Sequence, residues 1–193
     1  MSKKQQIING LIALAQSQKD VKLISVQAIA DAAGVKKASV YDYFQSKEEV
    51  FSATIIYLCT QQLNDITAKL TNENFQANVN CILDSIYDNV VNQLSTFNFF
   101  YRQERNNDEE DFWKNPEFIK LSLEVETLVE SIVALGVKEG KISAPSSNQY
   151  LHILVKALIH SANLYAYQAH FDNQLDYQIV KQDIYEILVK SLA

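Results

Sequence analysis

The sequence predicts an all-α fold, and three of its properties support that prediction. Of the 193 residues only four are glycine and two are proline, whereas sheet proteins of this size need many turns rich in those residues. Apolar residues recur at spacings of three and four along most of the chain, which is the period of an amphipathic helix. Apolar residues make up 48% of the chain and charged residues 21%, a composition typical of folded globular proteins rather than disordered ones.

The first 45 residues predict three helices. The periodicity predicts the first helix over about Lys4–Gln16. The second starts after Ser25, whose side chain suits an N-cap, and ends at Gly34, because glycine readily adopts the left-handed conformation that closes a helix. A third, short helix is expected over about Lys37–Tyr43.

A capping box opens the fourth helix. In Ser46-Lys47-Glu48-Glu49, we expect the Ser46 hydroxyl to accept from the Glu49 amide and the Glu49 carboxylate to accept from the Ser46 amide. The acidic residues also lie at the positive end of the helix dipole. The apolar pattern predicts that this helix continues to about Leu70.

Further helices fill the rest of the chain, and the whole sequence predicts about nine helices and no strand. After the polar segment Thr71–Gln76, the pattern predicts helices over about Ala77–Leu94, Pro116–Glu139, Ser147–Phe171 and Leu175–Leu192. Between the first two of these lie an aromatic stretch, Phe97–Tyr101, and an acidic loop, Asn106–Asp111.

Charge separates the chain into two parts. The net charge of −6 by itself argues against nucleic-acid binding. Residues 1–50 nevertheless carry seven lysines and five acidic residues, whereas residues 51–193 carry ten basic and eighteen acidic residues. This asymmetry predicts a head, residues 1–50, that approaches phosphate and a body, residues 51–193, that does not.

The segment from about residue 25 to 44 predicts a helix-turn-helix. Ala30 is small where two short helices would cross, Gly34 provides the tight turn, and Val35 and Val40 fill the space between the helices. Such a unit holds its second helix outward, so that the exposed face can enter a DNA major groove about 12 Å wide.

The same segment resembles the TetR family of bacterial repressors. The matching residues are Ile29, Ala30, Ala33, Gly34, Val35, Ser39, Val40, Tyr41, Tyr43, Phe44, Ser46, Lys47 and Glu48. The resemblance covers about residues 4–55, and the body agrees only in length and helical pattern. It implies a ligand-responsive repressor that binds a palindromic operator as a homodimer and is released by a small hydrophobic or aromatic effector.

The resemblance also implies which residues contact DNA. The candidates are Gln27, Lys36, Lys37, Ala38, Ser39, Tyr41, Tyr43 and Lys47. Gln27 and Lys37 suit base edges, and the hydroxyls and Lys47 suit phosphates. Two positions depart from the family pattern: Lys36 replaces a hydroxyl cap, and Ala38 replaces glycine or proline. Asp42 either accepts from a cytosine amino group or faces away from DNA.

The last two helices carry apolar stripes that are candidates for a dimer interface. The resemblance implies a four-helix bundle with a second copy, and the candidates are Leu154, Leu158, Ser161, Tyr165, Ile184 and Leu188. Periodicity alone is equally consistent with burial of these residues within one chain.

Aromatic residues in the body are candidates for an effector pocket, which the resemblance places there. The candidates are Tyr57, Phe97, Phe100, Trp113 and Phe118, although rings of this kind more often belong to a core.

Other functions are disfavoured by the motifs. No di-iron Glu-x-x-His pair, phosphate-binding glycine loop, HExxH or nucleophile elbow is present, so we expect no enzyme, metal or cofactor. We expect reduced cysteines, no membrane span and a cytoplasmic location. The alternatives are a helical interaction protein whose head no longer binds DNA, a DNA binder without a ligand, and an activator.

Overall fold

The computed structural model describes residues 1–17, 23–71, 74–91, 114–171 and 175–193. The described residues form eight helices and no strand, so the all-α prediction is confirmed with about one helix fewer than expected. The helices are α1 Lys3–Ser17, α2 Val26–Ala33, α3 Lys37–Tyr41, α4 Lys47–Lys69, α5 Phe75–Val91, α6 Pro116–Lys138, α7 Asn148–Phe171 and α8 Tyr177–Ser191.

The ends of α2 follow the sequence prediction. The Ser25 hydroxyl accepts from the Ala28 amide at 3.1 Å, which satisfies one of the unpaired donors at the helix start. Gly34 ends the helix with φ +68°, and its amide donates to the carbonyl of Asp31. These local bonds fix where α2 stops and α3 begins.

The capping box of α4 differs in one bond from the prediction. The Ser46 hydroxyl accepts from the Glu49 amide at 3.1 Å, as expected. The Glu49 carboxylate, however, accepts from the Gln45 amide rather than the Ser46 amide. The Glu49 side chain therefore reaches one residue further back than a capping box predicts.

Three helix bounds differ by two residues from the periodicity. α3 ends at Tyr41 rather than Tyr43, α5 begins at Phe75 rather than Ala77, and α8 begins at Tyr177 rather than Leu175. The start of α5 is set by Asn74, whose side chain accepts from the Ala77 amide at 2.8 Å. The sequence pattern missed Phe75, which is fully buried.

The described residues divide into two compact units. The first unit consists of residues 1–61 and 114–121, and the second of residues 62–91 and 122–193. In the first unit α1 packs on α2 and α2 on α3, around buried apolar side chains that include Ile7, Leu11, Ile29, Val40 and Val50.

The second unit is built from α5, α7 and α8, which pack on one another, with the C-terminal part of α6. Its core includes Phe75, Leu151, Ala162, Ile184 and Leu188. The unit buries residues far apart in sequence, so its packing depends on long-range contacts rather than on a local motif.

A polar network links α5 to α8 inside the second unit. The buried Tyr177 hydroxyl donates to the Leu83 carbonyl at 3.0 Å, and its ring stacks on Tyr87 with centroids 4.5 Å apart. Lys181 donates to Asp84 at 2.7 Å beside it. Burial raises the pKa of Tyr177, and the charges of Asp84 and Tyr87 raise it further.

Candidate nucleic-acid interface

Helix α3 directs one side chain into the core and the others outward. Val40 is buried in the core of the first unit, whereas Lys36, Lys37 and Ala38 are exposed at the start of the helix. Because α3 packs on α2 through Val40, its N-terminal residues form an open surface. This is the arrangement that a helix needs in order to enter a groove.

The hydroxyl side chains extend that surface. Tyr41 is 51% exposed and Tyr43 is 43% exposed, so both rings contribute to it. Ser39 is half-buried, and its amide donates to the carbonyl of Lys36 at 2.9 Å. Phe44, in contrast, is buried in the core, so the aromatic residues of this segment have separate roles.

The lysines of this region differ in their surroundings. Lys36 caps α3 through its backbone only, without a side-chain hydrogen bond, as the replacement of a hydroxyl residue predicts. Lys47 is half-buried at the start of α4, with its Nζ 5.5 Å from the centroid of the Phe51 ring. Lys4 lies similarly over Phe44 at 5.8 Å. These cation–ring contacts orient the lysine stems while leaving their charges near the surface.

Gln27 has a partner that the sequence interpretation did not include. Its Nε2 donates to Asp31 Oδ1 at 2.8 Å, and both side chains are exposed on α2. The signal was present in the sequence, because residues four apart on a helix are surface neighbours.

A family model for bacterial regulatory proteins of the tetR family matches residues 17–54 of this chain. The match spans α2, α3 and the start of α4, which carry the exposed surface described above. This segment of the chain is therefore similar to the tetR family of regulators. The resemblance inferred from the helix-turn-helix is thereby confirmed.

Curated relatives extend this likeness over less than half of the chain. The nucleoid occlusion factor SlmA of Haemophilus influenzae is 32% identical over 87 residues, which is 45% of this chain and 40% of that protein. SlmA of Glaesserella parasuis is 29% identical over 86 residues. The chain thus matches about two fifths of the length of these relatives.

Solved structures of TetR regulators share the fold over almost the whole chain. A TetR transcription regulator from Haloarcula marismortui matches with a TM-score of 0.67 and 19% identity, covering 95% of both chains. The fatty acid degradation regulator FadR from Bacillus halodurans matches with a TM-score of 0.70 and 13% identity, covering 98% of this chain and 95% of that chain. The family and these neighbours are regulators, not enzymes.

The predicted effector residues fall in two places. Tyr57 and Phe118 pack against the core of the first unit. Phe97, Phe100 and Trp113 lie outside the described residues.

An apolar cavity lies instead in the second unit. It has a volume of about 80 Å³ and is lined only by apolar side chains from α5, α6, α7 and α8, among them Phe75, Val133, Val155, Ile184 and Leu188. The sequence analysis did not assign these residues to a cavity, because an apolar helical stripe that lines a cavity has the same pattern as one that fills a core.

A larger recess of about 390 Å³ in the same unit has a more polar wall. Its buried Asn78 accepts from the amide of Thr71 at 2.9 Å and donates to the carbonyl of Thr71 at 2.5 Å. Asn78 therefore anchors the end of α4 to α5, and its polar atoms are already engaged.

The predicted interface residues are also divided. Ile184 and Leu188 are buried in the core of this chain and line the cavity. Leu154, Leu158 and Ser161 are half-buried, and Tyr165 is 41% exposed. Among the side chains of α7 and α8 whose burial is described, the exposed large apolar ones are Tyr150, Ile153, Tyr165, Ile179 and Ile187.

None of the helices that the structure describes is long and apolar enough to cross a bilayer. Among the described residues, no group of three or more His, Cys, Asp or Glu side chains could hold a metal ion.

Proposed function

We propose that this protein is a TetR-family transcriptional repressor that binds duplex DNA through residues 1–50 and responds to an effector through residues 51–193, in the cytoplasm. The observation that carries the proposal is the exposed start of α3, where Lys36, Lys37 and Ala38 face solvent beside the half-exposed Tyr41 and Tyr43. A helix placed in this way, with cations at its N-terminus, suits the major groove.

The side chains divide into two roles. Lys37 and Gln27 are proposed to contact base edges. Ser39, Tyr41, Tyr43 and Lys47 are proposed to contact phosphates, which position the protein without reading sequence. If a dimer neutralises about 6–10 phosphates, its affinity falls about 10³- to 10⁵-fold between 50 and 200 mM salt.

Binding to random-sequence duplex at low salt tests the proposal. We expect fluorescence anisotropy to show salt-dependent binding by the parent and much weaker binding by the variant Lys37→Ala/Lys47→Ala. Each lost phosphate contact should reduce the slope of log affinity against log salt by about 1. The control, Lys138→Ala/Lys141→Ala, removes the same charge from exposed residues of the second unit and should bind like the parent.

Equal affinity of the two double variants would overturn the DNA-binding assignment. A parent that fails to bind duplex even at low salt would favour the alternative, a helical interaction protein with an inactive head.

The exposed apolar face of α7 and α8 supports a homodimer. Ile153 and Ile179 are both 62% exposed, and Ile187 is 49% exposed. The small residues Ala157 and Ser161 lie on α7 between the larger ones and allow close approach of a second helix pair. A two-fold dimer would place two α3 helices about 34–36 Å apart on a palindromic operator.

Charge insertion tests the dimer. We expect Ile153→Glu/Ile187→Glu to be monomeric by light scattering and to lose most of its affinity for an operator, because one head binds far more weakly than two. The matched control is Ile119→Glu, which alters a 47% exposed side chain on α6. A dimeric double variant, or a monomeric parent, would contradict this interface.

The apolar cavity supports a small, hydrophobic effector. Its volume of about 80 Å³ suits a short aliphatic group. A cavity of about 150 Å³ lined by Leu, Ile and Phe stays dry and accepts benzene, so a ring would require neighbouring side chains to shift here. The effector is proposed to bury its apolar end between α5, α7 and α8.

Thermal unfolding with 1-hexanol and benzene as probes tests the cavity. A probe at about 100 times its Kd stabilises the folded state by about 2.7 kcal/mol. We expect a rise in Tm that the cavity-filling variant Val155→Phe abolishes and the exposed-site variant Leu123→Phe retains. Probes that fail to raise the Tm of the parent, or that still stabilise Val155→Phe, would exclude this site.

Helix α4 is continuous between the unit proposed to bind DNA and the unit proposed to bind the effector. It contributes residues 47–61 to the first unit and 62–69 to the second. An effector alters DNA affinity only by its different affinity for two conformations, and such coupling is about 1–3 kcal/mol, or roughly 5- to 150-fold.

A further inference from the structure

A glutamine amide and a carboxylate meet on the exposed face of α2. Gln27 Nε2 lies 2.8 Å from Asp31 Oδ1. The two residues are four apart, so the helix itself brings their side chains together. A carboxylate only accepts hydrogen bonds, and the amide group of Gln27 must therefore turn its nitrogen, not its oxygen, toward Asp31.

This contact fixes the order of polar atoms that Gln27 presents to a ligand. If the amide turned over, Oε1 would face Asp31 Oδ1, and two acceptors would repel each other. With Nε2 held, Oε1 lies on the side of the amide away from the carboxylate. The second hydrogen of Nε2 is not used by this bond. Gln27 thus offers one acceptor and one donor in a defined arrangement.

We infer that Asp31 is a positioning residue that sets the base preference of Gln27 to adenine. The inference rests on the proposed binding of DNA by the head. Adenine offers the N6 amino donor and the N7 acceptor in the major groove, which match Oε1 and the remaining hydrogen of Nε2. Guanine offers two acceptors, O6 and N7, so it faces Oε1 unfavourably, and cytosine offers a single donor.

Asp31 acts by removing the competing orientation. A glutamine without this neighbour turns its amide over and donates to guanine O6 or N7, or to thymine O4, at little cost. The carboxylate also repels phosphates, so its presence lowers general affinity while raising selectivity. A purely structural role of Asp31 would instead affect folding and all DNA sequences alike.

Selection from a randomised duplex library tests the inference. The parent should enrich one adenine in each half-site, and Gln27→Ala should lose that preference. A matched Gln–adenine pair discriminates by about 1–3 kcal/mol, or roughly 5- to 150-fold. Asp31→Ala and Asp31→Asn should reduce the adenine-to-guanine ratio at that position about fivefold or more. Other positions should be unchanged, and Asp31→Ala should bind random duplex at least as tightly as the parent.

The conservative variant Asp31→Glu keeps a carboxylate and should restore the adenine preference. Circular dichroism would confirm that each variant is folded. Two results would overturn the inference while leaving the proposed function intact. In the first, the parent enriches a motif in which no position depends on Gln27. In the second, a position depends on Gln27, but Asp31→Ala leaves its base preference unchanged. A parent that binds no duplex overturns both the inference and the proposed function.

Discussion

The two units of this protein are both built from helices, but they expose different kinds of side chain. The first unit leaves polar and cationic side chains outside, such as Lys36, Lys37 and Tyr41. The second unit leaves isoleucines such as Ile153 and Ile187 exposed and contains an apolar cavity. The proposed function uses this contrast by assigning duplex DNA to the first unit and apolar partners to the second.

The units also differ in how their structure is specified. In the first unit, the caps at Ser25, Gly34 and Ser46 involve residues three or four positions away. In the second unit, Tyr177 bonds to Leu83, and the amide of Phe75 donates to Glu139, across gaps of 94 and 64 residues. Because its bonds are local, the structure of the first unit is easier to predict from sequence than that of the second unit, whose bonds join distant residues.

The largest effect is expected from the core of the second unit. Phe75→Ala removes a fully buried ring beside Tyr185 and should lower the free energy of unfolding by about 3–5 kcal/mol. Urea unfolding measures the loss, and the exposed-site control Leu123→Ala should change stability by less than about 0.5 kcal/mol. Under folding conditions, Phe75→Ala should keep the parent's affinity for random duplex. A loss of that affinity in the folded variant would contradict the proposal that the first unit alone contacts DNA.

A smaller effect is expected where α1 and α2 approach each other in the first unit. A Cβ on Gly10 would lie 2.9 Å from the backbone nitrogen of Ala33, so Gly10→Ala forces the helices apart. Overpacking of this kind costs about 1–3 kcal/mol. The neighbouring exposed-site variant Asn9→Ala should cost less. If the unfolding curves of the two variants coincide, the close approach of α1 and α2 is not required for stability.

The polar network of the second unit should contribute about 0.5–1.5 kcal/mol, the usual net value of a buried hydrogen bond. Tyr177→Phe removes the bond to Leu83 and should lower stability by that amount at neutral pH.

Burial, with the charges of Asp84 and Tyr87, raises the pKa of Tyr177 in the folded state. An unfolded tyrosine loses its proton near pH 10, while the folded one keeps it, so stability should fall as pH rises above about 10. Unfolding measured between pH 8 and 11 should show a shallower alkaline fall for Tyr177→Phe than for the parent. Identical slopes would contradict the assignment.

The smallest effect on stability is expected at Lys36, where one substitution should raise stability and lower the affinity for DNA. Lys36 occupies the N-cap of α3 with extended backbone and no side-chain cap bond. Lys36→Ser should supply that bond and stabilise the protein by about 0.5–1 kcal/mol. It should also weaken duplex binding, because a cation is lost. Lys138→Ser, which removes an exposed cation from the second unit, serves as the control, and tighter duplex binding by Lys36→Ser would contradict the role of Lys36.

The bounds of α2 and the exposed start of α3 could be predicted from the sequence because their signals are local. Ser25, Gly34 and Ser46 act within one helical turn, and Lys36 and Lys37 follow directly from the turn. The Gln27–Asp31 contact was accessible by the same reasoning, from a spacing of four residues.

The effector and dimer assignments were harder, because an apolar stripe does not reveal what covers it. Ile184 and Leu188 carry the same periodicity as Ile187, yet the first two are buried within the chain and the third is half exposed. Likewise, Tyr57 and Phe118 pack into the first unit, and nothing local distinguishes a ring that lines a pocket from one that fills a core.

Backbone hydrogen exchange with and without a saturating 30-base-pair duplex compares the two units in one measurement. Slower exchange should be confined to residues 25–47, with α5 and the buried part of α8 unchanged. Equal exchange across residues 36–47 in both states, or protection that falls on the second unit alone, would contradict the claim that the start of α3 is the surface that meets DNA.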